Sequence, residues 1–526
     1  MATAVTAPVL LQSLHVDRRR SEPGFAGAFV TILTVLALVI HGYHPYAEDG
    51  GLYMAEIKRL LDPSLYPHGT AFVMDHLRVS LFAPFIVALV RGSQMSLGMV
   101  LLLVYLASYW VTLFAAYLLA EKCFASREAR AGAVALLAMW ITLPIAGTSL
   151  MLMDPYVTAR SLSTPCILLA LVGMLEFLQP REGSRRGRWG GLLLCCAALL
   201  AAASMHLLMA AYGLGCVLVL ACVFSSVRWM RIGGTIGLCV MAVSIAAITQ
   251  ELASPESAAY LRVAATRSYW FLSDWHWYEQ FGLAAPLIIL AIEGFGPSSK
   301  RDTPRVAMAR MAVVCGCVAV MIATLFARQG AATHMVARLQ PLRIFQTVYV
   351  VMILVVGASL AEWVLQRRPM RWMTALALLA SMMLFVQRQT FPNSAHIELP
   401  WRVPQNQWEQ AFIWIGKNTP KDALFALDAH YITSPGEDAQ SFRAIAERSV
   451  LPDYSKDGGK ASIVPALTPE WIAGEVAQSG LSTTSDTRRV AVLRPLGVTW
   501  VVLQQDAKTD FECDYTNRAV KVCRLP

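Results

Sequence analysis

Residues 41–67, "HGYHPYAEDGGLYMAEIKRLLDPSLYP", follow directly on an apolar run and decide how the rest of the chain is read. After Gly50-Gly51, the residues Tyr53, Met54, Ile57, Leu60 and Leu61 fall on one face at helical spacing, and Asp62-Pro63 ends the pattern. Such a helix lies along a membrane surface, so the run before it is a span from which the chain has just emerged. The stretch then raises a question of charge, because Glu48 and Asp49 sit side by side next to lipid. Asp49 as the N-cap of the surface helix accounts for one carboxylate. It leaves Glu48 unexplained, and with it the aromatic and histidine neighbours His41, His44, Tyr46 and Tyr53.

The whole chain agrees with a membrane setting. It has 526 residues, 56% hydrophobic and only 15% charged, with a mean hydropathy of +0.50. A soluble chain carries about a quarter charged residues. Apolar blocks of bilayer length recur, so the expected fold class is a polytopic all-α membrane bundle with a small C-terminal soluble α/β domain. A secretory signal peptide is not expected, because no small-residue cleavage site follows the first apolar run. The net charge of +9 does not point to nucleic acid, since the basic residues lie in short loops between apolar blocks, where they set orientation. Nine of the eleven cysteines lie in or beside those blocks, where they pack as small hydrophobes, and no spacing resembles a zinc site.

Eleven spans are expected, over 25–43, 96–120, 131–147, 161–179, 190–205, 207–226, 232–250, 281–295, 311–327, 344–365 and 372–387. The apolar segment Val79–Val90 reaches only about 18 Å as a helix, short of a hydrocarbon core of about 30 Å, and reads as interfacial or re-entrant. With it excluded, one set of loops holds nineteen Lys and Arg, in clusters at 18–20, 122–130, 181–188, 228–231, 300–310 and 367–371, against ten in the opposite set. The positive-inside rule then puts the N-terminal tail, residues 1–24, in the cytoplasm and the membrane domain at 25–387. Loops 44–95, 148–160, 251–280 and 328–343, and everything from 388 to 526, fall outside, in the periplasm or the extracellular space. The expected location is the inner (plasma) membrane, multi-pass.

From about residue 388 the composition is that of a soluble domain. Trp408, Phe412 and Ile415 have helical spacing, while "ALFALDA" (423–429) and "VTWVVLQ" (498–504) read as buried strands. The tail "FECDYTNRAVKVCRLP" reads as a hairpin with "TNRA" at its tip, which brings Cys513 and Cys523 opposite each other. An oxidising outer compartment would keep them as a disulfide.

The other outer loops hold further candidates. "GTSLMLMDPYVTARSLSTP" contains Asp154-Pro155, a good N-cap and first-turn pair, and Arg160, whose guanidinium suits a lipid phosphate. "ARQGAATHMVARLQPLRIF" brings Arg328, His334, Arg338 and Arg343 to the outer end, either snorkelling to headgroups or forming a phosphate-binding cluster. "RVAATRSYWFLSDWHWYEQFG" adds Arg262, Arg267, Asp274, His276 and Glu279 among tryptophans that form an interface belt or stack on sugar rings. His206 sits at a tight turn between two helices, as a solvated turn residue or a substrate contact.

Taken together, a first helix leading into a long outer loop with an acidic pair, a second-loop Asp, late arginines and a soluble C-terminal domain resembles the GT-C superfamily of integral membrane glycosyltransferases. "AEDGGLYMAEIKRLLDPSLYP" is similar to their first-loop motif and "AEKCFASREARAGAVALLA" to their short turn between the second and third helices. The resemblance implies a polyprenyl-phosphate-linked sugar donor, a glycan, lipid or protein acceptor, and contact with membrane lipid. It implies Asp49, or Glu48, as the carboxylate that positions or deprotonates the acceptor. It gives Arg343, then Arg338 and Arg160, as donor-phosphate ligands, and Asp154 as the second-loop acid, with His44, Tyr53, His206, Asp274 and His276 as further substrate contacts. The second loop has one Asp and no Asp-x-Asp pair, which leaves a divalent metal on Asp154 open. A base at a partly dry mouth is expected to have a raised pKa. The alternative is a non-catalytic membrane protein: a degenerate relative, an assembly factor or a transporter. A transporter calls for midplane charges and paired repeats, whereas Glu176, Glu251, Glu293 and Glu362 all lie at or near helix ends.

Overall fold

A computed structural model describes residues 23–74, 80–180, 185–297 and 303–526. The N-terminal arginines Arg18 to Arg20, together with Val79, Arg181, Lys300 and Arg301, lie outside these residues. Among those described, nine helices are long and apolar enough to cross a membrane: Gly24–His41, Leu97–Cys123, Ala159–Leu178, Arg185–Met205, Met230–Leu252, Trp277–Phe295, Pro304–Phe326, Met335–Leu365 and Pro369–Thr390. The protein is a multi-pass helical membrane bundle with a small α/β domain at its C-terminus.

Two of the expected spans are shorter than these nine. Leu207–Val223 is an apolar helix of 17 residues. The segment 131–147 needs a larger correction, because its helix, Arg127–Met139, has only 13 residues. Pro144 has no amide hydrogen to continue the ladder. The chain instead folds back on itself, with Ile145 N donating to Leu150 O at 2.8 Å and Met153 N to Ile141 O at 2.8 Å. This buried return carries the chain to Asp154. The short helix is seated by small residues. A Cβ on Gly132 would lie 2.6 Å from Gly357 O, so the two backbones touch where only glycine fits.

The helix Gly50–Leu61 forms where the spacing predicts it. Its apolar residues are covered by protein. Tyr53 meets the Phe82 ring edge-on at 5.1 Å, on the short helix Phe82–Ser93. The opposite flank is held by the C-terminal domain, where Lys58 Nζ pairs with Glu447 at 2.7 Å and Tyr66 Oη donates to Arg443 O at 2.9 Å.

The C-terminal sheet has five strands, β1 Leu424–Ala426, β2 Ser449–Val450, β3 Trp500–Gln504, β4 Cys513–Thr516 and β5 Val520–Arg524. Their order is β2-β1-β3-β5-β4. β1 runs parallel to β2 and β3, and β5 lies antiparallel to β3 and β4. Alternate side chains point to opposite faces. Phe425, Trp500 and Val502 join one apolar core with Trp408, Phe412 and Ile415 of the helix Gln407–Asn418. Leu424, Ala426, Val501 and Leu503 join another on the far side. Burial on both faces explains why β1 and β3 read as unbroken apolar runs. Cys513 and Cys523 face each other across β4 and β5 and are joined by a disulfide.

Candidate functional site

A cavity of about 910 Å³ lies where one end of the bundle meets the C-terminal domain. Its walls come from the first loop (Glu48 to Tyr53), the segment Pro144 to Arg160, the turn at His206, the segment Thr266 to Tyr269, the segment Arg338 to Arg343 and, from the C-terminal domain, Tyr454 to Ile463. The loops that the charge pattern groups on one side therefore converge on a single space.

Asp49 occupies the N-cap position of Gly50–Leu61 but does not cap it. Its backbone is helical, at φ −71° and ψ −17°, and its side chain accepts nothing from the helix amides. The carboxylate is instead gripped from two sides. Oδ2 accepts from Arg160 Nη1 at 3.2 Å, and Oδ1 lies 3.6 Å from Lys456 Nζ. The second arm of Arg160, Nη2, donates to Asp154 Oδ2 at 3.0 Å. Asp154 is no cap either, because the helix Ala159–Leu178 begins later, closed by a capping box between Thr158 and Ser161. Asp154 Oδ2 also accepts from Thr158 Oγ1 at 3.2 Å. The result is a line Asp49–Arg160–Asp154 along one wall, buried at Arg160 and Asp154 and half-buried at Asp49. Arg160 thus gives one Nη to each of two carboxylates.

Local sequence explains how the first loop reaches this place. A Cβ on Gly51 would fall 1.4 Å from Ser441 Oγ, and one on Gly50 would fall 2.6 Å from Pro45 O and 3.1 Å from the Tyr156 ring. The two glycines let the helix start press against both the C-terminal domain and the second loop. Glu48 just before them has φ +47°, a left-handed backbone rarely held by a side-chain-bearing residue. Its carboxylate pairs with Lys456. Ala146, Ser149 and Gln340 have positive φ as well and line the same cavity, and strain of this kind gathers at functional sites.

The electrostatics run opposite to the expectation of a raised base. Burial alone would lift the Asp49 carboxyl, but Lys456, Arg160 and Arg343 together outweigh it and hold the group well below the usual carboxylate range. Burial raises Asp154, with Arg160 opposing it. His206 caps the helix Leu207–Val223 through Nδ1, which accepts from Met209 N at 3.4 Å. Burial, then Arg343 and Arg160, push its pKa down to about 3, so the ring is neutral at ordinary pH.

The arginines differ. Arg343 makes no ion pair among the described residues, and its buried Nε has no hydrogen-bond partner. Arg338 lines the cavity but is spent on Glu256, which also holds His334 Nδ1 at 2.8 Å. Tyr53 lines the cavity; His44, Asp274 and His276 do not. His44 pairs through Nδ1 with Glu398 at 2.7 Å and stacks on Phe391 at 4.0 Å, tying the bundle to the start of the C-terminal region. Asp274 holds Ser273 and Gln329, and His276 closes a capping box with Glu279.

Reading the sequence missed Lys456, Tyr156 and Tyr454 at this site. The signal for the first lay in "YSKDGGK" (454–460), a Gly-Gly pair flanked by lysines inside an otherwise ordinary soluble stretch. Among the described residues, no three His, Cys, Asp or Glu side chains are grouped to hold a metal ion. Asp49 and Asp154 do not fit a divalent cation between them, because the Arg160 guanidinium already takes that position.

No family model and no curated protein matches the chain. Among solved structures, the oligosaccharyltransferase of Archaeoglobus fulgidus, crystallised with zinc and sulfate, superposes with a TM-score of 0.44 at 13% identity, over 91% of this chain and 68% of that one. The mycobacterial arabinofuranosyltransferase AftD superposes with a TM-score of 0.42 at 12% identity, over 93% of this chain and 37% of that one. At these scores neither likeness bears on activity.

Proposed function

We propose that the protein is an integral membrane glycosyltransferase that moves a sugar from a polyprenyl-phosphate donor to a glycan, lipid or protein acceptor on the outer side of the inner (plasma) membrane. The N-terminal tail is then cytoplasmic, and residues 388–526 form the extracytoplasmic domain. The observation that carries this reading is the pairing, in one cavity, of a carboxylate fixed by two cations, Asp49, with an arginine that has no ion-pair partner among the described residues, Arg343. Arg267 and Lys460 line the same space and bond backbone carbonyls rather than carboxylates, which favours an anionic ligand.

In this mechanism Arg343 holds the donor phosphate through charge-assisted hydrogen bonds. The acceptor hydroxyl sits against Asp49. As its oxygen bonds to the anomeric carbon, the sugar–phosphate C–O bond breaks and its electron pair leaves with the phosphate, whose growing charge Arg343 stabilises. The hydroxyl proton passes to Asp49. Asp49 is a weak base at rest, so transfer is late, after the attacking oxygen has become strongly acidic. Tyr53 and Tyr156 offer rings to the sugar, and neutral His206 accepts or donates a hydrogen bond without adding charge.

The test is transfer of radiolabelled sugar from a polyprenyl-phosphate donor by purified protein. Asp49→Asn should cut turnover at least about a hundredfold, the scale of losing a positioned base, and leave donor binding nearly intact. Glu48→Gln reports which of the adjacent pair acts. Full activity in both variants would remove the catalytic role of the acidic pair.

A further inference from the structure

We propose that Lys456, contributed by the C-terminal domain, is a positioning residue for the Asp49 carboxylate, so that the site is complete only when that domain is docked on the first loop. The inference rests on the transfer reading for its catalytic consequence, and on geometry for the rest. The two oxygens of Asp49 are held separately. Arg160 of the bundle takes Oδ2 at 3.2 Å, and Lys456 approaches Oδ1 at 3.6 Å from the other side. One cation would leave the carboxylate free to rotate, whereas two on opposite oxygens fix its plane. Lys456 also binds Glu48, which locks the residue preceding the base.

Lys456 is itself firmly placed. Its amide donates to Asp453 Oδ1 at 2.6 Å, and Asp453 N donates to Asp457 Oδ2 at 3.0 Å. Both oxygens of Asp457 also accept from Arg443 Nη1, at 2.7 and 2.8 Å. From the bundle, Arg267 donates to Ser455 O at 2.7 Å and to Tyr454 O at 3.1 Å. The lysine side chain keeps only 13% of its surface exposed. A plain tether between domains does not require this arrangement. Docking has other ties, including Tyr66 to Arg443 O, Tyr260 to Ser462 O at 2.5 Å and Ser441 to Tyr46 O at 2.5 Å. Asp49 is also faced by Arg343, Asp154, Tyr53, Tyr156 and His206, none of which the Lys456 substitutions replace.

The experiment compares full-length wild type, Lys456→Met and Lys456→Arg. In the transfer assay, Lys456→Met should lower kcat about tenfold or more, as a loosened catalytic group does, with the KM for the donor held within about twofold. Lys456→Arg should recover most of the loss. The second readout needs no transfer. Carbodiimide modifies protonated carboxyls, so its rate with Asp49, read by peptide mass spectrometry at one fixed pH, reports how strongly the cations hold the charge. Loss of an opposite charge at this range shifts a carboxyl by about one unit or more, so Lys456→Met should label about tenfold faster or more. Faster labelling in a protein that shows no transfer, wild type included, would defeat the transfer reading and uphold the hold of Lys456 on Asp49. Unchanged labelling, or an equal loss of kcat in Lys456→Arg and Lys456→Met, would overturn the inference.

Discussion

The first loop, 44–67, and the segment 266–280 are written in the same letters. Each has acids and histidines among aromatic side chains, and each lies next to a helix start. In the folded protein they part company. Segment 266–280 gives its acids no countercharge: Glu279 accepts from His276 N at 2.8 Å, and Asp274 accepts from Ser273 and from the neutral amide of Gln329. The first loop spends none on its own helix and turns Glu48 and Asp49 toward Arg160 and Lys456. The difference teaches that an acid becomes a site residue when its countercharge comes from elsewhere in the chain. An acid that finds a local amide is a cap.

The comparison breaks most visibly at Arg160. Arg160→Met would strand Asp154, which is 4% exposed, with only Thr158 beside it. Breaking a buried pair in this way costs about 3–5 kcal/mol, so the unfolding midpoint in detergent should drop sharply. An unchanged midpoint would mean that the Asp49–Arg160–Asp154 line does not hold this wall together.

Arg343→Ala sharpens the contrast between a free cation and a spent one. Loss of charge-assisted bonds worth about 1.5–3 kcal/mol should weaken donor binding roughly 10- to 100-fold, with little change in stability. Arg338→Ala should instead act on stability, because Arg338 already serves Glu256. Equal donor affinities in the two variants would undo the distinction.

His206 provides a pH test. Its pKa falls from an ordinary 6.5 to about 3 in the folded protein. The unfolded chain therefore binds the extra proton first, and stability is lost as pH drops from about 6.5 toward 3. His206→Asn keeps an N-cap and removes the titration. Thermal unfolding of this variant should lose less stability on acidification, by up to roughly 1.4 kcal/mol per pH unit. Parallel acid profiles for the two proteins would show that His206 is free to protonate.

The smallest effect belongs to the other half of the comparison. Asp274→Asn should move stability by no more than about 0.5 kcal/mol and leave transfer unchanged, as measured by the same unfolding and transfer assays. A large loss of activity would return Asp274 to the site.

The sequence by itself determined what is periodic or local. Apolar runs marked the spans, helical spacing marked Gly50–Leu61 and Gln407–Asn418, and alternation with turn residues marked the terminal hairpin, because burial of one face leaves its period in the chain. It also singled out Glu48, Asp49, Asp154, Arg160 and Arg343, since charges beside lipid are costly enough to need a reason. Only the tertiary structure decided what those charges do. Asp49 and Asp154 read as caps, and it took the late start of Ala159–Leu178 and the helical backbone of Asp49 to free both carboxylates. The span expected over 131–147 stops at Met139, and the return that follows brings Asp154 to Arg160. Lys456 was invisible beside Asp49 because 407 positions separate them in the chain. Ion pairing depends on distance in space, and no local pattern of residues encodes the packing that brings such distant charges within 4 Å.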